Sequence, residues 1–152
     1  MNEIAQLLSP ANILLDVDTE SKAGLFEAVG ALFEANSALG RRTVVGSLVA
    51  REKLGSTGLG QGIAIPHGRI KGLGQAQGAF VNLQRPIAFD APDGKPVSQV
   101  FVLLVPEHAT EQHLQLLSEL AQMFSDREFR ARLATAPDAA TVYKLFEGWA
   151  AA

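Results

Sequence analysis

The chain reads as an α/β layered domain: a mixed parallel and antiparallel sheet of about five strands, flanked by helices on both faces. Three observations predict this. Short apolar runs of strand length, clearest in Val100–Val105, alternate with segments whose apolar residues recur at helical spacing. Helical segments stand before, between and after the strands. The strands Ala79–Leu83 and Val100–Val105 are joined by a connection with a turn signal at Pro92-Asp93-Gly94 and no room for a crossover helix. That pair should be antiparallel, which makes the sheet mixed.

Taken in order, Ile13–Val17 is short and apolar and suits a strand. Thr19-Glu20-Ser21 offers helix N-caps, and Leu25, Phe26, Val29, Leu32 and Phe33 then follow at helical spacing to near Asn36. After Gly40, a second helix carries Val44, Val45, Leu48 and Val49 on one face and ends by Gly55. Ile63-Ala64-Ile65 is a short strand stopped by Pro66, and residues 69–77 read as a loop. Beyond Pro106, Leu114, Leu117, Leu120, Ala121 and Phe124 mark a helix. Ser125-Asp126 breaks it and caps the next, which holds Phe129 and Leu133. Pro137-Asp138 opens a last helix with Val142, Leu145, Phe146 and Trp149.

With 152 residues, the chain is expected to form one domain over 1–152, with its core over residues 5–150. Hydrophobic residues make up 47% and charged residues 19%, an ordinary globular balance. A net charge of −3 gives no general attraction to nucleic acid or to a membrane surface. There is no cysteine, so disulfides, thiolate metal sites and a cysteine nucleophile are excluded. The N-terminus lacks a secretory pattern, and no apolar run is long enough to span a bilayer. A cytoplasmic protein is expected.

The chemistry concentrates in Gly55-Ser56-Thr57-Gly58-Leu59-Gly60-Gln61-Gly62, followed by Ile63-Ala64-Ile65-Pro66-His67-Gly68. Glycines allow tight turns and close approach of backbone N–H groups to a ligand. Histidine handles charged groups near neutral pH. The expected arrangement is a histidine at a strand end beside a cradle of backbone donors, suited to phosphate, with Gly68 leaving space around the ring. The segment lacks the lysine of a P-loop and does not open a helix directly after a strand, so nucleotide binding is disfavoured. No Gly-x-Ser-x-Gly elbow is present. Of the other two histidines, His113 falls in the first turn of the helix after the strongest strand, where open α/β sheets place ligands, and His108 reads as a solvated loop residue. Their spacing does not match a helical metal pair and no carboxylate cluster accompanies them, so no metal site and no cofactor are expected. Arg51 lies in the last turn of its helix, where the dipole favours a cation. Ser56 and Thr57 offer hydroxyl donors to a phosphate or to the local turn.

The block from Arg51-Glu52-Lys53-Leu54 through Gly55-Ser56-Thr57-Gly58-Leu59-Gly60 to Gly62-Ile63-Ala64-Ile65-Pro66-His67-Gly68 resembles the signature of the fructose/mannitol-type IIA component of the bacterial phosphoenolpyruvate-dependent phosphotransferase system. Pro86-Ile87-Ala88-Phe89-Asp90, the strand ending at Pro106, and His113-Leu114 through Ala121 are similar to its later blocks. The wording Gly-Ser-Thr-Gly, Ile-Ala-Ile-Pro-His-Gly and Pro-Ile-Ala-Phe-Asp is most similar to the family's free-standing, nitrogen-related branch. The resemblance implies a mixed sheet with helices on both sides. It implies that His67 takes a phosphoryl group on Nε2 from an HPr-like phosphocarrier, here the nitrogen-branch paralogue NPr. Arg51 and His113 would stabilise the group, with Ser56, Thr57, Gln61 and Gly68 around phosphate or partner. Sensor kinases and potassium-transport systems are the regulatory targets it implies. A sugar-specific IIB domain is the acceptor if the protein serves transport instead, and a protein-binding module without phosphotransfer is a further alternative. Transport members often carry glutamate where this chain has Gln61, so less negative charge would meet an incoming phosphate.

Overall fold

The computed structural model describes residues 2–108 and 110–150. A one-turn helix α1 (Glu3–Gln6) and a single 3-10 turn (Pro10–Asn12) lead into β1 (Ile13–Val17). Helices α2 (Lys22–Ser37) and α3 (Arg41–Lys53) follow, then three short strands: β2 (Gly58–Gly60), β3 (Ile63–Ala64) and β4 (His67–Ile70). Two long strands, β5 (Gln77–Ile87) and β6 (Val97–Pro106), precede α4 (Thr110–Phe124), α5 (Arg127–Thr135) and α6 (Ala139–Gly148).

The sheet is mixed, with order β1-β5-β6-β3-β2 and β4 also paired to β6. β1 runs parallel to β5, β5 antiparallel to β6, and β6 parallel to both β3 and β4. Residues alternate along β6. Phe101, Leu103 and Val105 join a core with α4, α5 and α6, while Val100, Val102 and Leu104 join a second core with α2 and α3. A strand covered on both faces must be apolar at successive positions, which is why Val100–Val105 is unbroken hydrophobic sequence. Five phenylalanines fill the first core. Phe146 sits among Phe80, Phe101, Phe124 and Phe129 at centroid distances of 5.2–6.1 Å.

Helix starts follow local chemistry. Ser21, Asp126 and Asp138 are N-caps whose side chains accept from Gly24, Phe129 and Thr141 N–H. Between sheet and helices, the side-chain amides of Asn82 and Gln99, paired across β5 and β6, donate to the Leu133 and Arg130 carbonyls of α5. No described helix is long and apolar enough to cross a membrane.

The sheet differs from expectation around His67. Among the described residues the sheet has six strands, and β4 occupies the start of the segment expected to be a loop. β3 and β4 form one line along β6, since Ala64 pairs with Val100 and His67 with Leu103 in continuous register. Pro66 interrupts that line because it has no N–H, although its carbonyl still accepts from Leu103 N–H at 3.0 Å. His67 therefore opens a strand rather than following one. Strands of two to four residues rich in glycine carry no propensity signal of their own; pairing with β6 creates them.

Candidate functional site

His67, Arg51 and His113 arrive from three elements. His67 begins β4, Arg51 ends α3, and His113 lies in the first turn of α4. They meet at one end of the sheet. The Arg51 Nε donates to His67 Nε2 at 3.2 Å, and the His67 and His113 rings meet edge-on with centroids 5.0 Å apart.

The break at Pro66 sets the ring's tautomer. Ile65 N–H is used on the Thr57 carbonyl, at 3.0 Å, and the Ile65 carbonyl lies 2.8 Å from His67 Nδ1. A carbonyl only accepts, so Nδ1 carries the proton and Nε2 presents a lone pair. The Arg51 Nε–H lies on that lone pair. Burial and the Arg51 charge lower the His67 pKa below the ordinary histidine value, against the pull of the Ile65 hydrogen bond and of Glu52. His113 is lowered further, to about 4, by burial and by the nearby His67, Arg69 and Arg51. Both shifts favour the neutral ring at neutral pH. His113 is 9% exposed, and its Nε2 is buried without a hydrogen-bond partner among the described residues.

The glycine-rich segment is a scaffold more than a donor cradle. Thr57 N–H donates to both Glu52 carboxylate oxygens, at 3.2 and 3.3 Å, and Thr57 Oγ1 donates to Glu52 Oε1 at 2.6 Å. Ser56 Oγ donates to the Phe89 carbonyl at 2.6 Å and accepts from Gly58 N–H at 3.1 Å. Neither hydroxyl proton points to a free phosphate position; both tie the loop down. Gln61 and Gly62 form the two-residue turn between β2 and β3, with φ of 59° and 79°. Positive φ at both positions is what a tight hairpin of the primed type needs. Gln61 N–H donates to Asp93, so the turn Pro92-Asp93-Gly94 holds the hairpin tip. Gly68 has ordinary strand geometry. Its missing side chain makes room for α3, because a Cβ there would lie 2.1 Å from Ser47 Oγ. His108 is an exposed loop residue beside Glu107.

Several contributors escaped the sequence reading. Glu52 and Lys22 form an ion pair at 2.8 Å; Lys22 also reaches Asp90 and lies over the Phe89 ring. The Pro86–Asp90 block thereby supports the site through Phe89 and Asp90. Nothing local to Lys22 signals a partner thirty positions away. Arg69 shares a face with His67 only because β4 forms, two positions apart on one strand, so it had no signal in the sequence either.

The chain matches the family described as phosphoenolpyruvate-dependent sugar phosphotransferase system, EIIA 2, over residues 6–149. The chain belongs to this family. Among its relatives, the nitrogen regulatory protein of Pseudomonas aeruginosa is 44% identical over 146 residues, 95% of either chain. That of Escherichia coli is 40% identical over 130 residues, 85% of this chain and 80% of that one. Among solved structures, the nitrogen regulatory protein IIA-Ntr of Neisseria meningitidis is 51% identical, with a TM-score of 0.89 over 95% of this chain and 99% of that one. This IIA protein is thus a homologue of the nitrogen regulatory proteins, and its mixed sheet between two helical layers is the architecture of its IIA neighbours.

Proposed function

We propose that this protein is a phosphocarrier and regulator whose His67 Nε2 accepts a phosphoryl group from a histidine-phosphorylated, HPr-like carrier of the nitrogen branch. One observation carries the reading. The Ile65 carbonyl holds the proton on Nδ1, leaving an Nε2 lone pair facing a guanidinium beside a second, buried histidine. The attacking lone pair forms the new N–P bond as the donor's P–N bond breaks, and the donor imidazole leaves. Such transfer depends on positioning and charge stabilisation. Arg51, still held by the Gly55 carbonyl at 2.8 Å, moves its remaining N–H groups onto the phosphoryl oxygens. His113, neutral and buried, donates without adding a charge of its own.

The lowered pKa of His67 favours the unprotonated nucleophile at neutral pH. Leu54 and Leu114, neighbours in sequence of the site residues, are 84% and 64% exposed, which suits transient docking of a protein donor. The similarity to nitrogen regulatory proteins supports the nitrogen-type carrier NPr and a cytoplasmic regulatory output to sensor kinases or potassium-transport systems. The functional unit is taken as one domain over the whole chain.

Incubation with phosphoenolpyruvate, the first enzyme of the relay and either a nitrogen-type or a sugar-type carrier tests this. The expected product is an acid-labile, base-stable label, formed faster with the nitrogen-type carrier and lost in His67→Ala. Label retained in His67→Ala overturns the site. Arg51→Ala and His113→Ala should each slow labelling about tenfold or more, the scale of a charge-assisted contact of roughly 1.5–3 kcal/mol.

A further inference from the structure

Consecutive residues at the end of α3 grip one loop. Arg51 Nη1 donates to the Gly55 carbonyl at 2.8 Å. Glu52 accepts the Thr57 N–H and hydroxyl from the same loop, and the Lys22 ammonium from α2. The Glu52 side chain is only 8% exposed, yet its charge is met by three donors. A buried carboxylate with that many partners is costly to strip of any one of them. The loop needs a tether, because Gly55 has φ of 154° with nothing packed where its side chain would be. Glu52 touches neither His67 nor Arg51 through any described hydrogen bond. Beyond the pull of its charge on His67, its contacts reach the site through residues 55–57.

We propose that Glu52 and Thr57 form a positioning pair for Arg51. By closing residues 55–57 back onto the end of α3, the pair places the Gly55 carbonyl where it holds the guanidinium with Nε on His67 Nε2. Lys22, 2.8 Å from Glu52 Oε2, orients the carboxylate. This rests on the phosphoacceptor reading above, and it gives Thr57 a task different from contacting phosphate. Without the pair, the Gly55 carbonyl no longer has a fixed place and Arg51 spends less time on the reacting nitrogen. Docking of the carrier is untouched, since the pair is buried beneath the loop.

The test uses Glu52→Gln, Thr57→Val and the double variant in the full chain. Two readouts are taken: kcat and KM for transfer from the phosphorylated carrier, and exchange of the Arg51 Nε–H with water, followed by nitrogen-15 NMR without any donor. Each single variant should lower kcat about tenfold to a hundredfold, the range produced by a misplaced catalytic group, with KM little changed. The double variant should be scarcely worse than either single one, because both break the same link. Thr57→Ser, which keeps the hydroxyl, should recover most of the rate that Thr57→Val loses. Exchange of the Arg51 Nε–H should accelerate in Glu52→Gln. Additive losses, a change confined to KM, no recovery by serine, or unchanged Arg51 exchange would each overturn the proposal. Should Glu52→Gln fail to fold, the Thr57 variants and their Arg51 exchange decide it. A wild-type protein that takes no phosphoryl group from either carrier defeats the phosphoacceptor reading alone; the exchange measurement then still decides whether the pair positions Arg51.

Discussion

Gly68→Ala offers a direct probe of how the site is mounted. The new Cβ would lie 2.1 Å from Ser47 Oγ, 3.1 Å from Ser47 Cβ and 3.4 Å from the Ser47 backbone carbon. The hydroxyl can rotate away, but it then gives up its 3.2 Å hydrogen bond to the Arg69 carbonyl, roughly 1 kcal/mol. The remaining contacts press β4 from α3, an overpacking cost of about 1–3 kcal/mol. The sum of about 2–4 kcal/mol corresponds to a fall in Tm of roughly 4–16 °C for a domain of this size. Ser47 precedes Arg51 by one helical turn, so the displaced α3 also carries Arg51 away from His67, and phosphoryl transfer should slow. Urea unfolding of Gly68→Ala, in the native background and with Ser47→Ala, measures this. The cost should shrink by about 1 kcal/mol or more once the hydroxyl is gone, the mark of residues in contact. Equal costs in the two backgrounds, or a loss under about 0.5 kcal/mol, which is typical of an unconstrained surface site, would refute the reasoning.

Three further outcomes are expected. Between pH 6.5 and about 4, the unfolded chain binds a proton at His113 that the native chain refuses, so stability should fall as pH drops through that window; His113→Gln should flatten the Tm-against-pH curve there. Ser56→Ala loses a donor to Phe89 and an acceptor for Gly58 N–H, and calorimetry should find it about 1–2 kcal/mol less stable. Phe146→Ala empties the centre of the five-phenylalanine cluster and should cost about 3–5 kcal/mol in denaturant unfolding, while Phe146→Leu costs less.

The layered α/β class was legible because it rests on local periodicity, and the caps Ser21, Asp126 and Asp138 because a cap acts on N–H groups within one turn. The site was legible in part. His67 stood out through Pro66 and Gly68. That Arg51 and His113 reach it was an implication of resemblance, which the geometry of α3, β4 and α4 makes concrete. Strand β4 was not legible, because its edge position and its register with β6 exist only after folding. Nor was the use of Ser56 and Thr57, since a hydroxyl in a loop has several competing partners and sequence does not rank them.

By itself, then, the sequence determined the class of fold, the places where helices begin, and which histidine is set in unusual surroundings. All of these depend on residues within a few positions of one another. The tertiary structure alone decided which acceptors the Thr57, Ser56 and Gln61 donors of the glycine-rich run take: Glu52, Phe89 and Asp93. It also decided that Gly68 clears a path for α3 and that the Ile65 carbonyl selects the tautomer of His67. The physical reason is common to these cases. A hydrogen-bond donor binds whichever acceptor folding brings near, and the packing of α2, α3 and the sheet chooses that acceptor.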